Sequence, residues 1–472
     1  MLEIANGHAN ALTATRRGLN QGPKRLQTRI PGLPLTDRIR FFCRSLLIPS
    51  LYERVSVNRY LAALMPLLLS VCPSVSWADN WPHWRGDGGN GVAENANPPT
   101  EFSNARNVKW KVAISGQGSG SPAVWEDKIF VTTGVPVSGT KQVKFTVLCI
   151  DRATGKTLWE KVAVEAVPHE GTHQTNGFAS ASPCTDGTAV YAFFGSRGLF
   201  AYSIEGEMLW NRDFGDMTIR NNFGEGASPA LHGDHLFVPW DHEGQSKLYA
   251  VNKLSGDIVW QVDRDEPSNW GTPLVIESEG QEQVILTGQN KVRAYELGTG
   301  KPLWECGGQT DRPAASPVAG DGLVFVASGF RGAFVGAFRP DGKGDIEGTD
   351  HVVWTRSRDT PDIASPLLSG DRLYYYKAKT GLLTCVNAKT GEPYYSAKRI
   401  PELDTIYASP VAAGGYVYLS DRDGTIVVIK DADHFESVAT NQMGETVDAT
   451  PAPIDDQLIV RGSKHLFCLQ AQ

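Results

Sequence analysis

A nine-residue phrase recurs along this chain and limits what it can fold into. It reads DRATGKTLW at residues 151–159, NKLSGDIVW at 252–260 and ELGTGKPLW at 296–304. NAKTGEPYY at 387–395 is the same phrase with Tyr in place of Trp. A second element, Ser/Thr-Pro, occurs at Ser121, Ser182, Ser228, Thr272, Ser316, Ser365, Ser409 and Thr450. Its spacing of roughly 40–60 residues is the period of propeller blades when the intervening sequence is β-rich. It is β-rich here. Runs such as KIFVTT, AVYAFF, HLFVPW, LVFVAS, RLYYYK and YVYLS dominate, and few stretches show a helical period.

One unit, SPALHGDHLFVPWDHEGQSKLYAVNKLSGDIVWQVD from Ser228, holds four strands. Each part has a physical reason. Proline donates no N–H, so it suits a strand start or an edge. The Asp or Asn ahead of Thr-Gly braces the turn, and Gly accepts positive φ. The Trp offers a large apolar face to the wedge between neighbouring blades. The eight Ser/Thr-Pro sites that share this spacing predict an all-β, eight-bladed propeller of four-stranded antiparallel blades. The last unit runs out after QLIVRG and HLFCLQ with no fourth strand. NVKWKVAI, at 107–114, is the strand that would complete it and close the ring, with Trp110 in the Trp role.

The phrase and the strand pattern resemble the PQQ-type repeat over residues 107–472. That repeat is found in the eight-bladed quinoprotein alcohol dehydrogenases and in BamB-type outer-membrane assembly lipoproteins. WPHWRGDGGNG at 81–91 is similar to the lead-in of secreted bacterial PQQ-repeat proteins. The resemblance implies the fold. The Thr-Gly and Trp positions maintain blades, so they carry no chemistry of their own.

The N-terminal part is different in kind. Residues 1–59 hold ten Lys/Arg and three acids, while the whole chain is −7. The body is therefore acidic, which argues against non-specific nucleic-acid binding. Arg59 leads an apolar run, and Ser76-Trp77-Ala78 has the small residues of a cleavage site, so 59–78 is expected to be a secretory signal peptide. Residues 1–58 are then a basic disordered extension or sequence upstream of the true start. Residues 79–106 are a lead-in and 107–472 the propeller. After cleavage no transmembrane span is expected, and the protein is expected to be an exported monomer in the periplasm or cell envelope.

Seven Cys are present. Cys149, Cys385 and Cys468 share the repeat position that Ala250 and Ala294 fill elsewhere, so they are expected to be small buried groups. No Cys/His spacing suggests zinc, and no metal site is expected.

Strand alternation places the loops before Ser/Thr-Pro and after each second strand on one face. The candidate ligand-binding residues there are His173, Asn176, Asn222, Glu225, Asp241, His242, Trp270, Arg312, Arg331, Asp362, Lys377, Asp404 and Arg422. His173, Asn176 and Glu225 carry ligand types suited to a cation, without motif spacing. Two functions compete. One is a non-enzymatic scaffold that binds an envelope or outer-membrane protein, with no cofactor and no catalytic residue. The other, implied by the resemblance, is a quinoprotein dehydrogenase holding PQQ and calcium with an Asp as base. The chain lacks an adjacent Cys-Cys pair and a haem CxxCH, and it is shorter than the larger alcohol-oxidising members.

Overall fold

The computed structural model describes residues 80–471. The expected signal peptide and the basic stretch before it lie outside the described residues. Eight sheets form eight blades, six of four strands and two of five. The first blade runs through Ala123–Trp125, Lys128–Pro136, Val143–Asp151 and Thr157–Ala166, each strand antiparallel to the next. The eighth is closed as the sequence predicts. Val108–Ala113 pairs with the last strand, His465–Gln470, with Trp110 opposite Cys468.

The recurring phrase is a connection between blades. The Trp110, Trp159, Trp210, Trp260 and Trp354 indole N–H groups donate to the Arg152, Ile204, Lys253, Leu297 and Ala388 carbonyls, each in the following blade. The ring also lies over that blade's turn glycine. At Gly256, with φ +73°, a Cβ would stand 2.5 Å from the Trp210 ring. The turn thus needs Gly twice, for its backbone and for the ring above it. Across the sheet, each Trp faces a small residue. Cys149 opposes Trp159, Ala201 opposes Trp210, Ala250 opposes Trp260, and Cys385 opposes Tyr395. Bulk beside small volume keeps the core filled without strain. Cys149, Cys385 and Cys468 are fully buried, as expected of Ala surrogates.

The Ser/Thr of Ser/Thr-Pro has a task that its proline does not reveal. The Ser121 N–H donates to Ser182 Oγ and the Ser182 N–H to Ser228 Oγ. The Thr272, Ser316, Ser365, Ser409 and Thr450 amides continue the series, the last returning to Ser121 Oγ. Seven blade junctions are stitched in this way around the axis. A buried amide there would otherwise be orphaned.

Two features go beyond the repeat. Gly344–Asp345 adds a parallel fifth strand to the outer edge of the fourth blade at Trp304–Glu305. Trp304 is consequently buried, and its N–H donates to Gln283 of its own blade. The second feature is the lead-in, which is a strap beneath the ring. Trp81 exchanges backbone bonds with Val124 of the first blade, and the Pro82 carbonyl accepts from Thr185 of the second. The strap then crosses the axis. Val92–Ala93 pairs in parallel with Val411–Ala413, the innermost strand of the seventh blade. Among the described residues no helix is long and apolar enough to cross a membrane.

Candidate ligand cavity

The loops of one face enclose a central cavity of about 420 Å³. Its deep end is the ring of Ser/Thr hydroxyls, with Trp84 of the strap among the lining residues. Phe223, Trp270, Phe330 and Tyr407 form aromatic walls. Between them stand Arg312, Asp362, Lys379 and Asp448.

These charges are arranged in pairs. Arg312 Nη2 lies 3.0 Å from Asp362, and its guanidinium stacks 3.5 Å from the Phe330 ring centroid. Lys379 Nζ is 3.9 Å from the same carboxylate and 5.6 Å from the Tyr407 ring. Arg422 Nε is 2.9 Å from Asp448 and covers the other approach to Tyr407 at 4.9 Å. Burial pushes the Asp362 carboxyl up, against the pull of Arg312 and Lys379. Burial pushes Asp448 up as well, against Arg422. A carboxyl raised in this direction is a better proton acceptor than a solvated one.

One loop arches over the mouth. The His173 Nδ1 bonds Thr175 Oγ1 at 2.8 Å, and Thr175 Oγ1 lies 3.1 Å from the Tyr407 hydroxyl, 232 residues away in the chain. This contact joins the loop before the second blade to the loop before the seventh.

The residues singled out from the sequence divide into several groups. His173, Asn176, Trp270, Arg312 and Asp362 line the cavity, and Arg422 backs it through Asp448 and Tyr407. Glu225 turns away from the axis. Its carboxylate takes the Ser196 amide and hydroxyl inside a separate small cavity of about 40 Å³. Asn176 is engaged with the Phe223 carbonyl and Ser180. His173, Asn176 and Glu225 therefore do not converge, and among the described residues no group of three His, Cys, Asp or Glu is placed to hold a metal ion. Asp241 is an internal strut, with Arg264 at 2.8 Å and Asn269 at 3.0 Å. His242 accepts from the Thr218 amide, and burial lowers its pKa. Lys377 pairs with Asp359 at 3.0 Å, while Asn222 and Asp404 are exposed. Arg331 is 74% exposed in its side chain, pointing to solvent where Arg312 points to the cavity.

Sequence reasoning missed Trp84, Phe223, Phe330, Lys379, Thr175 and the inward role of the hub hydroxyls. Two of these misses are short shifts along a loop, Phe330 for Arg331 and Lys379 for Lys377. The strap held a signal, since two Trp within four residues, Trp81 and Trp84, offer a large apolar area that favours a packing role.

The comparisons with known proteins agree with this architecture. A family model described as "Outer membrane protein assembly factor BamB" matches residues 104–226 and 143–397. No curated protein matches in sequence. Among solved structures, BamB from Moraxella catarrhalis is 14% identical with a TM-score of 0.52, covering 76% of this chain and 98% of that one. The quinohemoprotein alcohol dehydrogenase of Comamonas testosteroni is 10% identical with a TM-score of 0.60, covering 84% and 81%. A europium-containing methanol dehydrogenase is 11% identical with a TM-score of 0.55, covering 82% and 90%. At such identities the likeness shows a common propeller and leaves activity to be argued from the cavity. With the family model spanning more than half its length and the eight-bladed ring in place, the chain belongs to the PQQ-repeat family that carries the BamB description.

Proposed function

We propose that this protein is an exported propeller whose central cavity binds a flat, carboxylated aromatic molecule of the quinone-cofactor class. The observation that carries the reading is the lining. An aromatic floor and aromatic walls suit a planar ring, and Arg312 and Lys379 suit carboxylates at its rim. The volume, about 420 Å³, is that of a small-molecule site. A quinone would supply the hydride acceptor for oxidation of an alcohol. The chain's part would be to stack the ring, exclude water and take a proton at the Asp362 carboxylate, which burial has made more basic than usual. The residues fit the organic group better than they fit calcium, since the described residues offer no cluster of carboxylates or His for an ion.

Calorimetry of the purified protein with PQQ, with and without calcium, tests this. Saturable binding near one equivalent, independent of calcium, is the expected result. No heat at micromolar to millimolar ligand would overturn the reading.

A second reading is favoured by the rim. Leu158, Leu209 and Val259 each precede the anchoring Trp in three consecutive blades and are 48%, 52% and 47% exposed. Such a stripe suits docking to an envelope protein. It predicts capture of an outer-membrane partner by the wild type and not by an L158K/L209K/V259K variant. Equal capture by both would refute it.

A further inference from the structure

One residue of the cavity lining belongs to no blade. Trp84 comes from the strap, and its indole Nε1 is buried with no partner among the described residues. What it shows to the cavity is therefore ring carbon and not its polar N–H. The next residue, Arg85, is 1% exposed. Its guanidinium carbon lies 5.5 Å from the Trp84 ring centroid. Nη1 donates to the Pro410 carbonyl at 2.7 Å, and Nη2 donates to the Pro366 carbonyl at 2.6 Å and the Asn90 carbonyl at 2.9 Å. Pro366 and Pro410 belong to the Ser-Pro hub, so the cation is clamped to the axis of the ring. Gly91 leaves the room, since a Cβ there would stand 2.5 Å from Arg85 Nη2.

No carboxylate pairs with Arg85 among the described residues. Arg461, 3% exposed and bonded to the Gly120 carbonyl, is likewise without a carboxylate among them, whereas two other buried arginines are paired. Arg264 has Asp241, and Arg293 has Glu266 and Glu305. Burial lowers the Arg85 pKa only to about 9, so it stays charged at neutral pH. A buried cation balanced by carbonyl dipoles alone is costly. In the poorly screened interior its field reaches the cavity above. The wall cations, by comparison, are each shared with Asp362 or Asp448.

We infer that the strap completes the binding site, with Trp84 as the stacking floor and Arg85 beneath it as a fixed positive charge that selects an anionic flat ligand over a neutral one. The inference rests on the reading that the central cavity is a small-molecule site. In this scheme Trp84 touches the ligand, while Arg85 is a positioning and selecting residue that acts through the floor.

The experiment compares PQQ, a redox-inert quinolinedicarboxylate and the neutral methyl esters of both, by calorimetry. The wild type is expected to bind the anions at least tenfold more tightly than the esters. Arg85→Gln keeps an amide that can bond the hub carbonyls and removes the charge. It is expected to weaken the anions about tenfold and leave the esters unchanged, so that the discrimination narrows about tenfold and any remainder belongs to Arg312 and Lys379. Arg85→Lys is expected to restore most of what is lost. Trp84→Ala is expected to weaken anions and esters alike, with Trp84→Phe intermediate. Circular dichroism reports whether each variant is folded. Should Arg85→Gln not fold, Arg85→Met, neutral and of similar length, takes its place in the same comparison. Equal binding of anion and ester by the wild type, or full discrimination in a folded Arg85→Gln, overturns this inference and leaves the cavity reading standing. If the wild type binds none of the four compounds, the cavity reading itself has failed.

Discussion

Gly256→Ala is the sharpest test of how the blades are joined. Two costs are expected. Placing alanine at φ +73° costs about 1–2 kcal/mol for the left-handed backbone. The new methyl would stand 2.5 Å and 2.7 Å from Trp210 ring carbons, and forcing such overpacking costs about 1–3 kcal/mol more. The sum is roughly 2–5 kcal/mol. Gly280 is the control. Its φ is +78°, and a Cβ there would meet nothing within 4 Å, so Gly280→Ala should show the backbone cost alone. Urea denaturation followed by far-ultraviolet circular dichroism gives both values. Combining Gly256→Ala with Trp210→Ala removes the obstructing ring. The Gly256→Ala penalty in that background should then fall to about 1–2 kcal/mol. Equal costs at Gly256 and Gly280, or an undiminished penalty without Trp210, would refute the idea that the ring over the turn is what demands glycine.

Two further outcomes follow from burial. Burial, and secondarily the Arg85 charge, pushes the His83 pKa from 6.5 down to about 3. The unfolded chain therefore binds the proton more readily, and stability is complete above about pH 6.5 and declines as pH falls toward 3, by up to about 1.4 kcal/mol per pH unit. His83→Gln should flatten that slope between pH 6.5 and 4, and an unchanged slope would exclude His83 as its source. The second outcome concerns the thiols. Burial raises Cys149, Cys385 and Cys468 to about 12 and Cys306 to about 11. A thiol reagent at pH 8 should label none of them in minutes in the native protein and all of them in urea. Rapid labelling of any one in the native state would show that its strand opens.

Much of the ring was legible because a propeller repeats its local rules. Turn chemistry, strand alternation and a spaced Trp are encoded within each blade, so eight copies could be counted and the missing fourth strand of the eighth blade located at 107–114. The candidate site was legible only as a face. Arg312 and Arg331 sit on two loops of the same face, yet one is pinned between Phe330 and Asp362 and the other is 74% exposed beside Asp311. Glu225 precedes a Ser-Pro much as Asp362 and Asp448 do, but bonds Ser196 in a neighbouring pocket. Which way a loop side chain turns depends on partners hundreds of residues away, and no local pattern records that.

The sequence by itself determined the blade, the number of blades and the closure of the ring, since each depends on contacts within a repeat or with the next one. Tertiary structure alone decided the rest. The hub bond from the Thr450 amide to Ser121 Oγ forms only once the ring has closed. Thr175 meets Tyr407 across the cavity mouth, and Arg85 finds its acceptors on Pro366 and Pro410. The strap obeys no repeat, and its course follows from the volume and the carbonyl groups that eight blades leave along their common axis.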